Sequence, residues 1–162
     1  MTATAEHAPA QAALYTPEQR ARRDGTVWTL VQGVLAPAQF LVFLVSLALV
    51  LTYLVTDTGY LAATISILVK TGFLYAIMVT GAIWEKVVFG QYLFAPAFFW
   101  EDVVSFVVIA LHTAYVVALL AGSMTPAGLM WLALAAYALY ALNAFQFLWK
   151  LRAARLQAEA SA

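Results

Sequence analysis

Trp84-Glu85-Lys86-Val87-Val88-Phe89-Gly90-Gln91-Tyr92-Leu93-Phe94-Ala95-Pro96-Ala97-Phe98-Phe99-Trp100-Glu101-Asp102 is the stretch on which the fold turns. Counted as a crossing, it would give five spans. Gly90 and Pro96 interrupt it, and Glu85, Lys86, Glu101 and Asp102 bracket it with charge. A helix needs roughly 20 mostly apolar residues to cross the hydrocarbon. Residues 85–100 therefore read as a membrane-interface loop or a re-entrant piece, rich in the aromatics that favour headgroup depth.

Four apolar segments lie around this loop. The first runs from about Trp28 to Tyr53 and contains Pro37, which frees a backbone carbonyl one turn earlier and should kink the helix. Asp57-Thr58-Gly59 is a tight turn, and the second span follows from Tyr60 to Trp84. The third runs from Glu101 to Ala121, and the fourth from Gly128 to Trp149 after the turn Gly122-Ser123-Met124-Thr125-Pro126. Before them, Thr16-Pro17-Glu18-Gln19 has the pattern of a helix start, with Thr16 as N-cap and Pro17 first in the helix. The short basic helix it opens carries Arg20, Arg22 and Arg23. Residues 1–14 read as a disordered tail, 15–155 as one four-helix transmembrane domain, and 156–162 as a C-terminal tail.

Charge fixes the number of spans and their direction. Lys and Arg gather in cytoplasmic connections. Arg20, Arg22 and Arg23 precede the first span, Lys86 sits in the middle loop, and Lys150, Arg152 and Arg155 follow the last. Four spans put all three groups on one side, whereas three or five would divide them. The expected architecture is an all-α, polytopic bundle of four transmembrane helices in the inner membrane, both termini cytoplasmic. A weak echo between Ala36-Pro37-Ala38-Gln39-Phe40 and Ala95-Pro96-Ala97-Phe98-Phe99 hints at duplicated hairpins. Coincidence is the better account in a chain so rich in Ala and Phe.

Composition agrees. Of 162 residues, 65% are hydrophobic and 10% charged, against about half and a quarter in soluble domains. The bilayer is the expected partner of that surface. Net charge is zero, which argues against nucleic acid, because that binding rests on neutralising phosphates. There is no cysteine, hence no disulfide, thiolate metal site or Cys nucleophile. Met1 to Ala13 lacks the basic region of a signal peptide. With so little chain outside the spans, activity must sit in the bundle, its loops or its tails.

Ionisable groups within the hydrocarbon are costly and are functional candidates by default. Lys70 lies ten residues into the second span and His112 eleven beyond Glu101, each about 15 Å from its nearer end at 1.5 Å per residue. Lys70 is either bonded to helix carbonyls or snorkelling, or else functional. His112 is either a neutral imidazole bonded to a neighbouring helix or an axial ligand to a tetrapyrrole metal. Glu101, Ser105, Val108 and His112 share one face of the third span. Glu85, Glu101 and Asp102 converge on one membrane face, where they are either carboxylates paired with Lys86 or capping a helix, or groups for acid–base chemistry. The helix end at Glu85 disfavours an anion, whereas the helix start at Glu101 favours one. For acid–base work Glu85 is thus the candidate proton donor, and Glu101 or Asp102 the candidate base. Gln32, Gln39, Ser46 and Tyr53, and Tyr140, Asn143, Gln146 and Lys150, form polar stripes expected to face other helices.

These residues carry a resemblance. Leu14-Tyr15-Thr16-Pro17-Glu18-Gln19-Arg20, Val31-Gln32-Gly33-Val34-Leu35-Ala36-Pro37, the whole of Trp84–Asp102, and Ala110-Leu111-His112-Thr113-Ala114-Tyr115 resemble the bacteriochlorophyllide 3-vinyl hydratase family from Leu14 onward. The resemblance implies a hydro-lyase of bacteriochlorophyll a biosynthesis. Such an enzyme adds water to the C3-vinyl group of chlorophyllide a, or of bacteriochlorophyllide, giving a 3-(1-hydroxyethyl) product, with no cofactor. For that chemistry Glu85, Glu101 and Asp102 are the candidate catalytic residues. Tyr92, Phe94, Phe98, Phe99 and Trp100 are candidate walls of a flat slot, Lys86 a partner for the substrate propionate, and His112 a ligand for its magnesium. Other pigment-synthesis enzymes are candidate partners. The competing class is a non-enzymatic pigment carrier or assembly factor holding a chlorin through His112, and a small transporter is a third.

Overall fold

A computed structural model describes residues 14–160, with side chains to 156. Apart from Leu14, the tail expected at 1–14 lies outside the described residues. The elements are α1 (Pro17–Gly25), α2 (Val27–Thr56), α3 (Tyr60–Phe89), α4 (Phe99–Ala121) and α5 (Pro126–Ala160). Four of them, α2 to α5, are long and apolar enough to cross a membrane, and the bundle is all-α among the described residues.

Local sequence accounts for the ends. At α1 the Thr16 hydroxyl accepts from the Gln19 N–H (3.2 Å) and the Gln19 side chain accepts from the Thr16 N–H (2.9 Å), a closed capping box. α2 runs through Pro37 without a break. Gly59 (φ 82) turns α2 into α3, and Gly90 (φ 88) stops α3 in the left-handed region that a side chain disfavours. Nothing breaks the helix before Gly90, so the expected loop loses its first residues to α3 and its last two to α4. α5 likewise continues past Trp149, because no Gly or Pro follows.

α2 packs mainly on α3 and α4 mainly on α5, as two antiparallel hairpins joined through α3–α4 and α2–α5 contacts. The echoed segments fall in unlike places, one inside α2 and the other in the connection before α4.

The pattern of burial is that of a protein solvated by lipid. In α2 the buried residues include Gln39, Ser46 and Tyr53, while Val34, Leu41 and Val45 are exposed. The interior holds Val50, Ala63, Ile67, Val108, Met130 and Tyr137, laced by side-chain bonds from Ser46 to Ser66 (2.7 Å) and Tyr137 (2.5 Å). Gln32 donates to Thr80 (2.7 Å). Both expected stripes thus face other helices. Alternation of direction brings the C-terminal end of α3, the N-terminal end of α4 and the membrane exit of α5 to one end of the bundle, beside α1.

Candidate functional site

At that end the connection 90–98 is held by side chains from three helices. Lys86, exposed on the last turn of α3, donates to the Gly90 carbonyl (2.7 Å) and lies 5.4 Å from the Tyr92 ring centroid. The Phe94 N–H donates to Asp102 (2.7 Å), and the next N–H, of Ala95, donates to Glu85 (3.1 Å). Lys150 of α5 donates to the Ala97 carbonyl. Phe94 sits at φ 58, unusual for a bulky residue. Its N–H on Asp102 and its ring stacked on Phe106 (centroids 5.4 Å) hold it there. The connection is therefore a pinned interfacial loop.

Glu85, Glu101 and Asp102 are all buried here, at 5%, 6% and 4% exposure. They are not equivalent. Glu101 is bound by the Lys150 ammonium at 2.6 Å. Glu85 and Asp102 have no ion-pair partner among the described residues; the peptide N–H groups that hold them are consecutive, which brings both carboxyls to the same point of the loop. The carboxylate–Lys86 pairing raised by the sequence does not form. Lys150, which the sequence marked only as a tail charge and the end of a stripe, takes that place.

The five aromatics expected to wall one slot divide. Phe98 points inward, packed with Tyr15, Trp84, Phe89 and Phe147. Phe94, Phe99 and Trp100 form an exposed outer cluster with Phe106. Tyr92 stands beside Lys86, also exposed. The inner cluster closes under the N-terminal arm. The Trp84 indole donates to Thr29 (2.9 Å), and the Arg23 guanidinium lies 4.8 Å over Tyr15. Burial pushes the Tyr15 phenol above its ordinary value, and Arg23 opposes the shift.

His112 shares its buried face with Glu101, Ser105 and Val108, as its spacing implied. It lies at 1% exposure, Nδ1 bonded to the Val108 carbonyl (2.8 Å) and Nε2 enclosed without a partner. Lys70 is wholly buried, its ammonium 3.6 Å from the Tyr140 ring centroid. The sequence did not foresee the bridge from Asn143 through Ser105 (2.7 Å) to the Glu101 carbonyl (2.8 Å). Two polar stripes were its only signal.

Residues 15–153 match the family model described as 2-vinyl bacteriochlorophyllide hydratase. A protein of that name from Cereibacter sphaeroides is 74% identical over 149 residues, covering 91% of this chain and 92% of the relative. Another of that name, from Rhodobacter capsulatus, is 71% identical over 151 residues, covering 93% and 87%. No solved structure matches.

Proposed function

The chain belongs to the 2-vinyl bacteriochlorophyllide hydratase family and is a membrane-embedded hydro-lyase of the pigment's vinyl group; on that premise we propose that Glu85 and Asp102 perform the hydration as a proton-sharing pair. The locant 2 or 3 follows the macrocycle numbering used; the group is the same vinyl. The observation that carries the assignment is their attachment to consecutive peptide N–H groups, Ala95 and Phe94, with no ion pair to either carboxyl among the described residues. Two adjacent carboxylates in an apolar rim repel too strongly for both to ionise, so the pair keeps one proton. Glu101 is already engaged by Lys150.

The cycle balances within the pair. Glu85 protonates the terminal vinyl carbon, breaking the C=C π bond and leaving a cation on the adjacent carbon, delocalised into the macrocycle. Water adds to that carbon and loses a proton to the Asp102 carboxylate. Asp102 returns the proton to Glu85, and the net change is one water added. The exposed rings of Phe94, Phe99 and Trp100, with Phe106, offer the flat apolar surface on which the macrocycle lies. Lys86, exposed at the same rim, meets a propionate. His112 lies three turns deeper and is enclosed within the bundle, so a bond from it to the substrate magnesium would need the pigment to enter between helices.

The basic groups at this end support an inner-membrane protein with both termini cytoplasmic and the turns near 57 and 125 outside. A lipid-facing site also suits transfer of apolar pigment to and from neighbouring pigment-synthesis enzymes. Membranes containing the protein, incubated with chlorophyllide a, yield a product heavier by one water. Loss of that product with pigment binding retained in Glu85→Gln marks an enzyme. A variant that binds and turns over normally assigns the carboxyls a structural role.

A further inference from the structure

Among the described residues, the buried polar atoms without a hydrogen-bond partner include Lys70 Nζ, His112 Nε2, Gln39 Oε1, Asn143 Oδ1 and Gln146 Oε1. They come from all four membrane helices. Lys70, His112, Gln39 and Asn143 are each more than nine-tenths buried, so neither lipid nor bulk water completes them. Lys70 and His112 meet neighbouring turns of α5: the Lys70 ammonium lies 3.6 Å from the Tyr140 ring centroid and the His112 ring 5.9 Å from that of Tyr137. Gln39 stands one turn from Phe43 on α2, and the Phe43 ring packs against Tyr140 (centroids 4.9 Å).

The chemistry of the orphaned atoms selects their ligand. His112 Nδ1 faces a carbonyl, which can only accept, so Nδ1 carries the hydrogen and Nε2 of the neutral ring is an acceptor. Gln39, Asn143 and Gln146 present amide oxygens, also acceptors. Of these five the Lys70 ammonium alone donates; the Thr64 and Tyr115 hydroxyls, also without a partner, can do either. An anion would satisfy Lys70 and be repelled by the other four; a metal cation would be repelled by Lys70. Water both donates and accepts, and binds where several polar groups converge.

Helix geometry gives the site a direction. Tyr140, Asn143, Gln146 and Lys150 follow one another along α5, from the ring beneath the Lys70 ammonium to the Lys150–Glu101 pair. On α4, His112 stands seven residues from Ser105, about 10 Å at 1.5 Å per residue, and Ser105 bonds Asn143. We infer that this polar seam is an internal hydration site, a short file of bound waters running from Lys70 and His112 past Asn143 and Gln146 to the carboxyl rim, and that it supplies the water consumed in the reaction. The hydration stands on the orphaned atoms alone; the supply route rests also on the hydratase reading.

The site is tested by radiolytic hydroxyl-radical labelling of the full-length protein in lipid nanodiscs in water enriched in oxygen-18. His112 and Tyr140 take up label at rates comparable to the exposed Tyr92, while Met130, equally enclosed in the apolar core, stays unlabelled. His112 and Tyr140 no more labelled than Met130 means a dry seam and overturns the proposal. So does protection of His112 by added chlorophyllide, which gives Nε2 to the pigment magnesium. For the route, Asn143→Leu slows vinyl hydration about tenfold, the scale of one lost hydrogen bond in a transition state, with chlorophyllide retention unchanged and activity restored in Asn143→Ser. Wild-type rates in Asn143→Leu overturn the route. A labelled seam in a protein that leaves chlorophyllide unchanged overturns the route together with the hydratase reading and leaves the hydration site standing.

Discussion

At the rim every carboxyl has an assigned partner: a peptide N–H for Glu85, another for Asp102, an ammonium for Glu101. Toward the midplane the Lys70 ammonium has only an aromatic face, and the outer nitrogen of His112 has nothing. Both regions break the same rule, that ionisable groups stay out of hydrocarbon. The rim meets its cost with fixed partners and leaves one pair uncompensated, where acid–base chemistry can occur. The midplane leaves single donors and acceptors that no described side chain completes. An intramembrane charge is thus informative through its inventory of partners more than through its depth.

The contrast breaks most sharply at Glu85. Replacing it by Gln keeps the shape and removes the transferable proton. We expect vinyl hydration to fall by about 10²–10⁴, the usual cost of a lost general acid, with membrane abundance and chlorophyllide retention near wild type. Product formation measured by mass at matched protein level checks this. Turnover within a few-fold of wild type would make the rim as inert as any capped helix end.

Next in size is Lys150→Met. It strands the Glu101 carboxylate in a site where that group is 6% exposed. Lys150 is 28% exposed, so the loss falls below that of a fully buried pair, at about 2 kcal/mol, and the Ala97 carbonyl loses its donor as well. The expected outcome is a lower thermal midpoint in detergent and reduced abundance, largely recovered by adding Glu101→Gln. A double variant no better than the single would mean that Lys150 acts on the loop alone.

Lys150 also marks the limit of what the sequence could give. The four crossings were legible because charge parity counts spans without knowledge of packing, and Glu85, Glu101 and Asp102 were legible as one group because a single loop joins them, with the choice between Glu101 and Asp102 as the base left open. The Glu101–Lys150 pair joins residues 49 apart. Helical periodicity placed each on a polar face, but which faces meet depends on how α4 and α5 dock. The aromatics divided for a related reason. Phe98 and Phe99 are neighbours in sequence, and only the loop's turn, with the Phe98 N–H on the Ala95 carbonyl (2.7 Å), sends one inward and the other out.

Within the midplane, Tyr137→Phe sharpens the comparison by a smaller step. The Tyr137 hydroxyl meets Ser46 inside the bundle at 2.5 Å. Its removal costs about 1 kcal/mol and leaves Ser46 with Ser66. Thermal unfolding in detergent reads that loss, and hydration activity stays near wild type because the ring remains. An activity loss of tenfold or more at unchanged stability would carry chemistry into the midplane and erase the division of labour.

The smallest expected effect lies on the outer face of the rim, where one residue serves both latch and surface. Phe94 donates its N–H to Asp102 and lays its ring against Phe106. Phe94→Ala keeps the N–H, so the carboxyl pair stays anchored, and removes a ring on which a macrocycle could rest. An aromatic stacking contact contributes about 0.5–1.5 kcal/mol, which corresponds to a rise in KM of roughly two- to tenfold. Only contacts that strengthen in the transition state alter kcat, and a ring that only stacks on the macrocycle binds ground and transition states alike. The expected signature is therefore a raised KM for chlorophyllide with kcat within about twofold. A fall in kcat at unchanged KM would mean that the ring holds the left-handed turn that aims Asp102, and the outer aromatics would then belong to the catalytic latch rather than to the pigment surface.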